Sequence, residues 1–413
     1  VLSSDHSANR VPEGFLWGTA ISAHQSEGNN INSDAWVCET VSPSLYRQPS
    51  LDACDSYNRF EEDIAIAADL GFNCYRMGIE WARIEPEPGV FSKAELDRYR
   101  RILDACHAGG MAPMVTFNHF TVPRWFAARG GFELAEGADL FARFAEASTA
   151  RLGDLISYAT TFNEANIQRL VAQLRRGPNA KAAIDAMLAQ CAKAVGSERF
   201  SSLLFAPLET AEPVLVDAHA KATAAMKAGP GDFPVGLTLT MQDVQGVGDN
   251  NLAEVMIDTL YGPWLEVGRS ADFIGVQTYT RVMVGPRGQV KPPEGAEMTA
   301  AGYEFYPRAL GGTIRFAAER IGRPIYVTES GIATDDDARR IAYIDGALAE
   351  VRKCLDDGID VKSFLYWSLL DNFEWTRGYG ERFGLVHVDY ETFKRTPKPS
   401  AHHLGAIARS GRL

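Results

Sequence analysis

The chain has 413 residues, and its 53 acidic side chains outnumber 41 lysines and arginines to leave a net charge of −12, a balance that argues against a nucleic-acid surface. With 46% apolar and 23% charged residues it can bury a sizeable core. No apolar run approaches the roughly 20 residues that cross a bilayer, since the richest, Phe364 to Leu370, is far too short. Along the chain, short strand-like runs alternate with longer helical patterns. Phe15–Thr19 reads as a first strand, followed by a helix over Ser56–Leu70 with Phe60, Ile64, Ala67 and Ala68 at helical spacing. Asn73–Met77, Ala112–Asn118 and Ser157–Asn163 read as the next strands, separated by helices over Lys93–Ala108 and Ala138–Arg151. A helical stretch over Val214–Ala228 precedes strands at Pro234–Thr240 and Asp272–Thr278. Helix Ala309–Ile321, strand Pro324–Thr328, helix Asp337–Cys354 and strand Val361–Trp367 complete the series.

Eight strands alternating with helices imply a parallel sheet, because parallel strands need crossover connections. The expectation is an α/β fold, a single (β/α)8 TIM barrel over 1–413, with the surplus length in long βα loops at the C-terminal face. Those loops are Asn29–Asp55, Ala165–Glu212, Tyr279–Pro307 and Leu369–Pro399. A doubly wound sheet is the alternative, though no Gly-x-Gly-x-x-Gly opens a helix. Cys38, Cys54, Cys74, Cys106, Cys191 and Cys354 are scattered, with no zinc-ligand spacing, and are expected as free, packed thiols. That pattern, with no visible signal peptide, leads to the expectation of a cytoplasmic location.

The strand ends carry the chemistry. The fourth strand ends in Thr161-Phe162-Asn163-Glu164 and the seventh runs through Thr328-Glu329-Ser330-Gly331. A glutamate at the tip of a barrel strand points into the mouth, and two of them on strands four and seven can face each other. Facing carboxylates are the equipment of glycoside hydrolysis, at about 5–5.5 Å for retention or about 6.5–9.5 Å for inversion. Spacing along a chain leaves that choice open. Two charges about 5 Å apart at an effective dielectric of about 20 repel by about 3 kcal/mol, so one acid is expected to hold a proton while the other stays ionised. Gln25, His119, Trp367, Glu374 and Trp375 follow other strand ends and offer hydrogen-bonding groups and indole faces suited to a sugar.

These residues also carry a family resemblance. Phe15-Leu16-Trp17-Gly18-Thr19-Ala20 with His24-Gln25-Ser26-Glu27-Gly28 resembles the N-terminal signature of glycoside hydrolase family 1, the retaining β-glucosidases and β-galactosidases. Ala53-Cys54-Asp55-Ser56-Tyr57 and Tyr75-Arg76-Met77 are similar to its next blocks, Thr161–Glu164 to its acid/base motif and Val327–Gly331 to its nucleophile motif. The most specific match is Tyr366-Trp367-Ser368-Leu369-Leu370-Asp371-Asn372-Phe373-Glu374-Trp375, running into Arg382-Phe383-Gly384-Leu385. The resemblance implies Glu164 as acid/base and Glu329 as nucleophile, with Arg76 and Tyr279 supporting Glu329. It implies Asn163 on the sugar 2-hydroxyl, and Gln25, His119, Trp367, Glu374 and Trp375 as the glycone pocket with Phe383 behind it.

A retaining exo-β-glycosidase follows, most simply a β-glucosidase, acting on a small β-glycoside or oligosaccharide without metal or organic cofactor and without nucleic-acid or membrane partners. The phosphoglycosidase branch carries Ser, Lys and Tyr near the position of Glu374, so a non-phosphorylated sugar is expected. Several positions depart from the family pattern. Phe120 stands in place of a Trp, Ala159 of a Trp, Ala165 of a Pro, Ser330 of an Asn, and Gln277-Thr278-Tyr279 of Asn-Tyr-Tyr. The Gly-rich segment expected after the acid/base motif is not recognisable in 165–210. A transglycosidase, a hydrolase of galactosides, fucosides or disaccharide glycosides, and an inactive carbohydrate-binding protein are the rival readings.

Overall fold

Eight parallel strands close on themselves in a computed structural model that describes residues 10–175 and 177–413. They are β1 (Leu16–Ala20), β2 (Cys74–Gly78), β3 (Ala112–Asn118), β4 (Tyr158–Phe162), β5 (Val235–Thr240), β6 (Ile274–Gln277), β7 (Ile325–Ser330) and β8 (Val361–Trp367). Each pairs with its neighbours in chain order, and β1 pairs with both β2 and β8, which shuts the barrel. A strand buried on both faces by helices outside and packed side chains inside is largely apolar, which is why the strands read as short runs, and its polar members such as Arg76 and Thr238 are held in buried hydrogen bonds. All eight expected strands are present, each within two residues at either end.

The connecting helices carry their own start signals. The helix α1 (Ser56–Asp69) follows β1, and α2 (Lys93–Ala108) follows β2. Ser92 caps α2 by accepting from the Glu95 N–H at 3.3 Å, a Ser-x-x-Glu start. Then come α3 (Glu136–Leu152), α4 (Leu208–Ala228), α5 (Ala253–Tyr261), α6 (Ala309–Arg320), α7 (Asp337–Asp356) and α8 (Pro399–Ser410). Asp336 caps α7 by accepting from Ala338 N–H at 3.0 Å. The expectation that the helix after β4 starts at Val214 needs correction. It begins at Leu208 and runs through Pro213, which removes one intrahelical bond but leaves the buried face of Ala211, Leu215, Ala218 and Ala222 intact. Burial of that stripe outweighs the proline.

The barrel floor is a plug of side chains pointing inward. Leu16, Cys74, Met114 and Leu365 form one cluster there, with Tyr158 and Tyr326 against it. Gly236 sits where a Cβ would enter the Phe273 ring at 2.3 Å, so only glycine fits beside that aromatic. Above the plug the lining turns polar, and the strand tips open into the long loops. The segment after β4 contains two helices that periodicity did not reveal, Ile167–Leu174 and Pro178–Ala194. The second leans on the helix Asp34–Thr40, where the Sγ atoms of Cys191 and Cys38 lie 3.7 Å apart. All six cysteines are unbridged and buried. The loops after β5 and β6 build a three-stranded sheet of Asp243–Gly246, Arg281–Gly285 and Gly288–Val290.

At the opposite end the chain closes on itself. Val11 N–H donates to Gly411 O at 3.0 Å, and Arg10 and Arg412 form an antiparallel bridge. Among the described residues no helix is long and apolar enough to cross a membrane.

Candidate active site

The strand tips surround a cavity of about 550 Å³. Its lining includes Gln25, His119, Asn163, Glu164, Tyr279, Glu329, Trp367, Glu374, Trp375 and Phe383. Of the site residues expected from the sequence, only Arg76 is not in the wall. It lies beneath, fully buried, and holds two wall residues together.

Glu329 is the most heavily supported group. Its Oε1 accepts from Arg76 Nη1 at 2.5 Å and its Oε2 accepts from the Tyr279 hydroxyl at 2.6 Å. Arg76 also donates through Nη2 to Asn163 Oδ1 at 2.5 Å, and Gln277 Nε2 donates to that same oxygen at 2.8 Å. Two donors on Oδ1 fix the orientation of the Asn163 amide and turn its NH2 toward the cavity. Gln277 was noted in the sequence only as a departure from the family pattern. It belongs to the site, and its place two residues before Tyr279 at the end of β6 was the available signal.

Glu164 has a different setting. It lies in the left-handed region, at φ 44°, where the chain leaves β4 sharply. Thr238 on β5 holds that bend: its hydroxyl accepts from Glu164 N–H at 3.0 Å, and its carbonyl accepts from Ala165 N–H at 2.9 Å. Phe120 (φ 74°) and Trp375 (φ 48°) also line the cavity in left-handed conformations. Non-glycine residues pay roughly 1–3 kcal/mol for such backbones, and they collect where the surrounding structure imposes a shape.

Electrostatics separates the two glutamates. Burial pushes the Glu164 carboxyl up to about 8, and the charge of Glu329 adds to the rise. Repulsion between the pair, the cause expected from the sequence, is therefore the second contribution and desolvation the first. Burial raises Glu329 as well, but the Arg76 guanidinium and the Tyr279 hydroxyl oppose it. A proton shared between the two therefore resides on Glu164. Burial holds the Tyr279 hydroxyl well above the ordinary phenol range, so it stays a donor.

The rest of the wall is a stacked set of aromatic rings with polar edges. His119 stacks on Trp367 at 5.6 Å and on Trp375 at 6.3 Å between ring centroids. Burial, aided by Arg76, pushes its imidazole well below the usual range, so it is neutral. Among the described residues its Nδ1 has no hydrogen-bond partner. Gln25 Nε2 donates to Phe373 O at 2.8 Å and reaches Glu374 Oε1 at 3.3 Å, while Ser22 donates to Gln25 Oε1 at 2.7 Å. Phe383 packs with Trp367, Ala20, Ala301 and Ala333, and its ring meets Tyr279 edge-on at 5.9 Å. Phe120 places a hydrocarbon ring 5.3 Å from Trp375.

The sequence matches the glycosyl hydrolase family 1 model over residues 7–256 and 267–412. The chain belongs to glycosyl hydrolase family 1. It is an O-glycosyl hydrolase on the α/β barrel of that family. A relative, β-glucosidase A of Thermotoga maritima, is 29% identical, with 98% of this chain and 99% of that protein aligned. The solved apo structure of β-glucosidase 1317 is 46% identical, covers 97% of this chain and 99% of its own, and superposes with a TM-score of 0.93. The Thermotoga maritima β-glucosidase in complex with glucoimidazole is 26% identical, covers 98% and 100% of the two chains, and gives a TM-score of 0.85.

Within this family 1 barrel two further residues line the site that no motif indicated. Tyr303, from the loop after β6, reaches the cavity with a hydroxyl that lacks a partner among the described residues. Arg377 lies near Glu374 but is engaged by Glu381 at 2.5 Å and by Ala301 O at 3.0 Å. Burial and the neighbouring Glu381 push the Glu374 carboxyl well above the usual range. Its charge is thus weaker than a surface carboxylate's, and the repulsion of a phosphate expected from the sequence is weaker with it.

Proposed function

We propose that this family 1 enzyme is a retaining exo-β-glucosidase that removes terminal, non-phosphorylated glucosyl residues by double displacement. The observation that carries the reading is the unequal setting of Glu164 and Glu329 on one cavity. Glu329, paired with Arg76 and Tyr279, is suited to remain an anion and attack the anomeric carbon. Glu164, buried and raised to about 8, is suited to carry a proton at neutral pH.

In the first step the bond from C1 to the leaving oxygen breaks as the Glu329 oxygen bonds to C1. The Glu164 proton passes to the leaving oxygen. In the second step Glu164, now ionised, takes a proton from water, the water oxygen bonds to C1, and the ester to Glu329 breaks. Asn163 donates to the sugar 2-hydroxyl, where hydrogen bonds tighten as C1 becomes cationic. Gln25, His119 and Glu374 hold the remaining hydroxyls, and Trp367 and Trp375 hold the C–H faces of the ring. A phosphorylated sugar is disfavoured because the cation nearest Glu374, Arg377, is occupied by Glu381.

A 2-deoxy-2-fluoro-glucoside with a good leaving group tests the reading, because it slows the second step more than the first. Mass spectrometry of the digested protein is expected to find one sugar esterified to Glu329. Glu329→Gln is expected to lose nearly all turnover. Retention of more than about a tenth of the wild-type rate, only about 1.4 kcal/mol of barrier, sinks the assignment.

A further inference from the structure

Gln277 is fully buried at the tip of β6, in register with Thr240 on β5 and with Glu329 on β7. Its carbonyl accepts from Met241 N–H at 2.8 Å, so its backbone is fixed by the sheet. Among the described residues its side chain makes one hydrogen bond, from Nε2 to Asn163 Oδ1 at 2.8 Å, and its Oε1 has no partner. The donor must be the end that faces Asn163, because the reverse orientation would set two oxygens against each other. A buried carbonyl oxygen without a partner is destabilising, whereas an apolar side chain of the same length carries no such cost. What the amide supplies in return is the N–H on Asn163.

Arg76 already donates to that oxygen, but its guanidinium is shared with Glu329. In a double displacement the charge on Glu329 changes twice, from anion to ester and back. The hold of Arg76 on Asn163 changes with it. Gln277 is neutral and donates to Asn163 alone, so its bond does not depend on the state of Glu329. The backbone of Asn163 is tied separately, its N–H donating to Asn118 O at 2.7 Å. The torsions of the Asn163 amide are therefore the freedom that Gln277 removes.

We propose that Gln277 is a positioning residue that keeps the Asn163 amide on the sugar 2-hydroxyl through both steps, and so sets how strongly the enzyme discriminates against substrates lacking that hydroxyl. The assignment rests on the double-displacement reading above and adds to it a residue that touches neither the sugar nor Glu329 through its side chain.

The experiment compares 4-nitrophenyl β-glucoside with its 2-deoxy counterpart, on the full chain and on Gln277→Met, which keeps the length of the side chain and removes the donor. On the glucoside kcat/KM is expected to fall about three- to tenfold, the worth of one hydrogen bond, and on the 2-deoxyglucoside less than about twofold. The denaturation midpoint of the variant is expected to stay level or rise, because the unpaired oxygen leaves with the amide. In an Asn163→Ala background the same substitution is expected to change kcat/KM less than about twofold, since residues that act as one unit are not additive. Gln277→Asn, whose amide is one carbon shorter, draws the donor back and is expected to lower the ratio of the two substrates likewise. An equal loss on both substrates, no loss on either, or additivity with Asn163→Ala overturns the assignment while leaving the glycosidase intact, and so does failure of both Gln277 variants to fold. If glucosides resist but another sugar's glycosides are cleaved, the glucose reading fails, and that sugar with its 2-deoxy form decides Gln277. Cleavage of no glycoside overturns both.

Discussion

The tips of β4 and β7 end in the same residue type but in opposite company. At β7, Glu329 has a guanidinium on one oxygen and a phenol on the other. At β4, Glu164 has no cation within bonding distance among the described residues, the rise of its carboxyl is opposed mainly by a hydrogen bond with Thr240, and its backbone N–H donates to the Thr238 hydroxyl. What differs is what surrounds each carboxyl, not the carboxyl itself. A buried acid with a paired cation stays ionised, and a buried acid without one keeps its proton.

The sharpest way to break this contrast is to remove the cation. Arg76→Met is expected to cost about 3–5 kcal/mol of transition-state stabilisation, roughly a thousandfold in kcat/KM, because it strands a buried carboxylate. It also moves the acid limb of the pH profile upward, since Glu329 without its guanidinium ionises only at higher pH. A loss below tenfold, in a variant with an unchanged circular dichroism spectrum, rules out the role given to Arg76.

Tyr279→Phe removes the second support. A hydrogen bond to a charged group is worth about 1.5–3 kcal/mol, so steady-state kinetics should show a loss of about ten- to a hundredfold.

Glu164 sharpens the comparison from the other side. Because Glu164 must carry its proton into the reaction, kcat/KM is expected to fall as pH rises through about 8, and Glu164→Gln should abolish that limb. The same shift has a stability consequence. The folded value lies above the unfolded value of about 4.3, so the folded state takes up a proton between them and wild-type stability falls as pH rises through that window. Glu164→Gln carries no such penalty. Denaturant titration should find it about 1–3 kcal/mol more stable than wild type at pH 7, with the difference gone near pH 4.

The smallest expected effect lies on the glycone wall. Phe120→Trp supplies an indole N–H where the family pattern has one, and a net hydrogen bond of about 0.5–1.5 kcal/mol predicts a KM lower by about threefold to tenfold. An unchanged KM would mean that the indole finds no partner there.

The barrel was legible because its strands are short, largely apolar runs and its helices have a strong stripe, so two different patterns alternate along the chain. The places of Glu164 and Glu329 at strand tips followed from the same pattern. What escaped has physical reasons. Gln277 shows no period and no charge, and its role depends on Asn163 being shared with Arg76. Helix Pro178–Ala194 buries only Met187, Cys191 and Ala192 along most of its length, too sparse a stripe to read. The three-stranded sheet over the cavity joins segments from two different loops, which no local pattern reports. Ile167–Leu174 is only eight residues long, too short a stripe to stand out as a helix within a long loop.

The bridge between Arg10 and Arg412 lies at the foot of the barrel, beneath the plug and away from the cavity mouth. A linker fused after Leu413 would emerge from that underside. Tethered to a bead or a scaffold by such a handle, the enzyme would present its open mouth outward, with approach to the cavity unobstructed by the support.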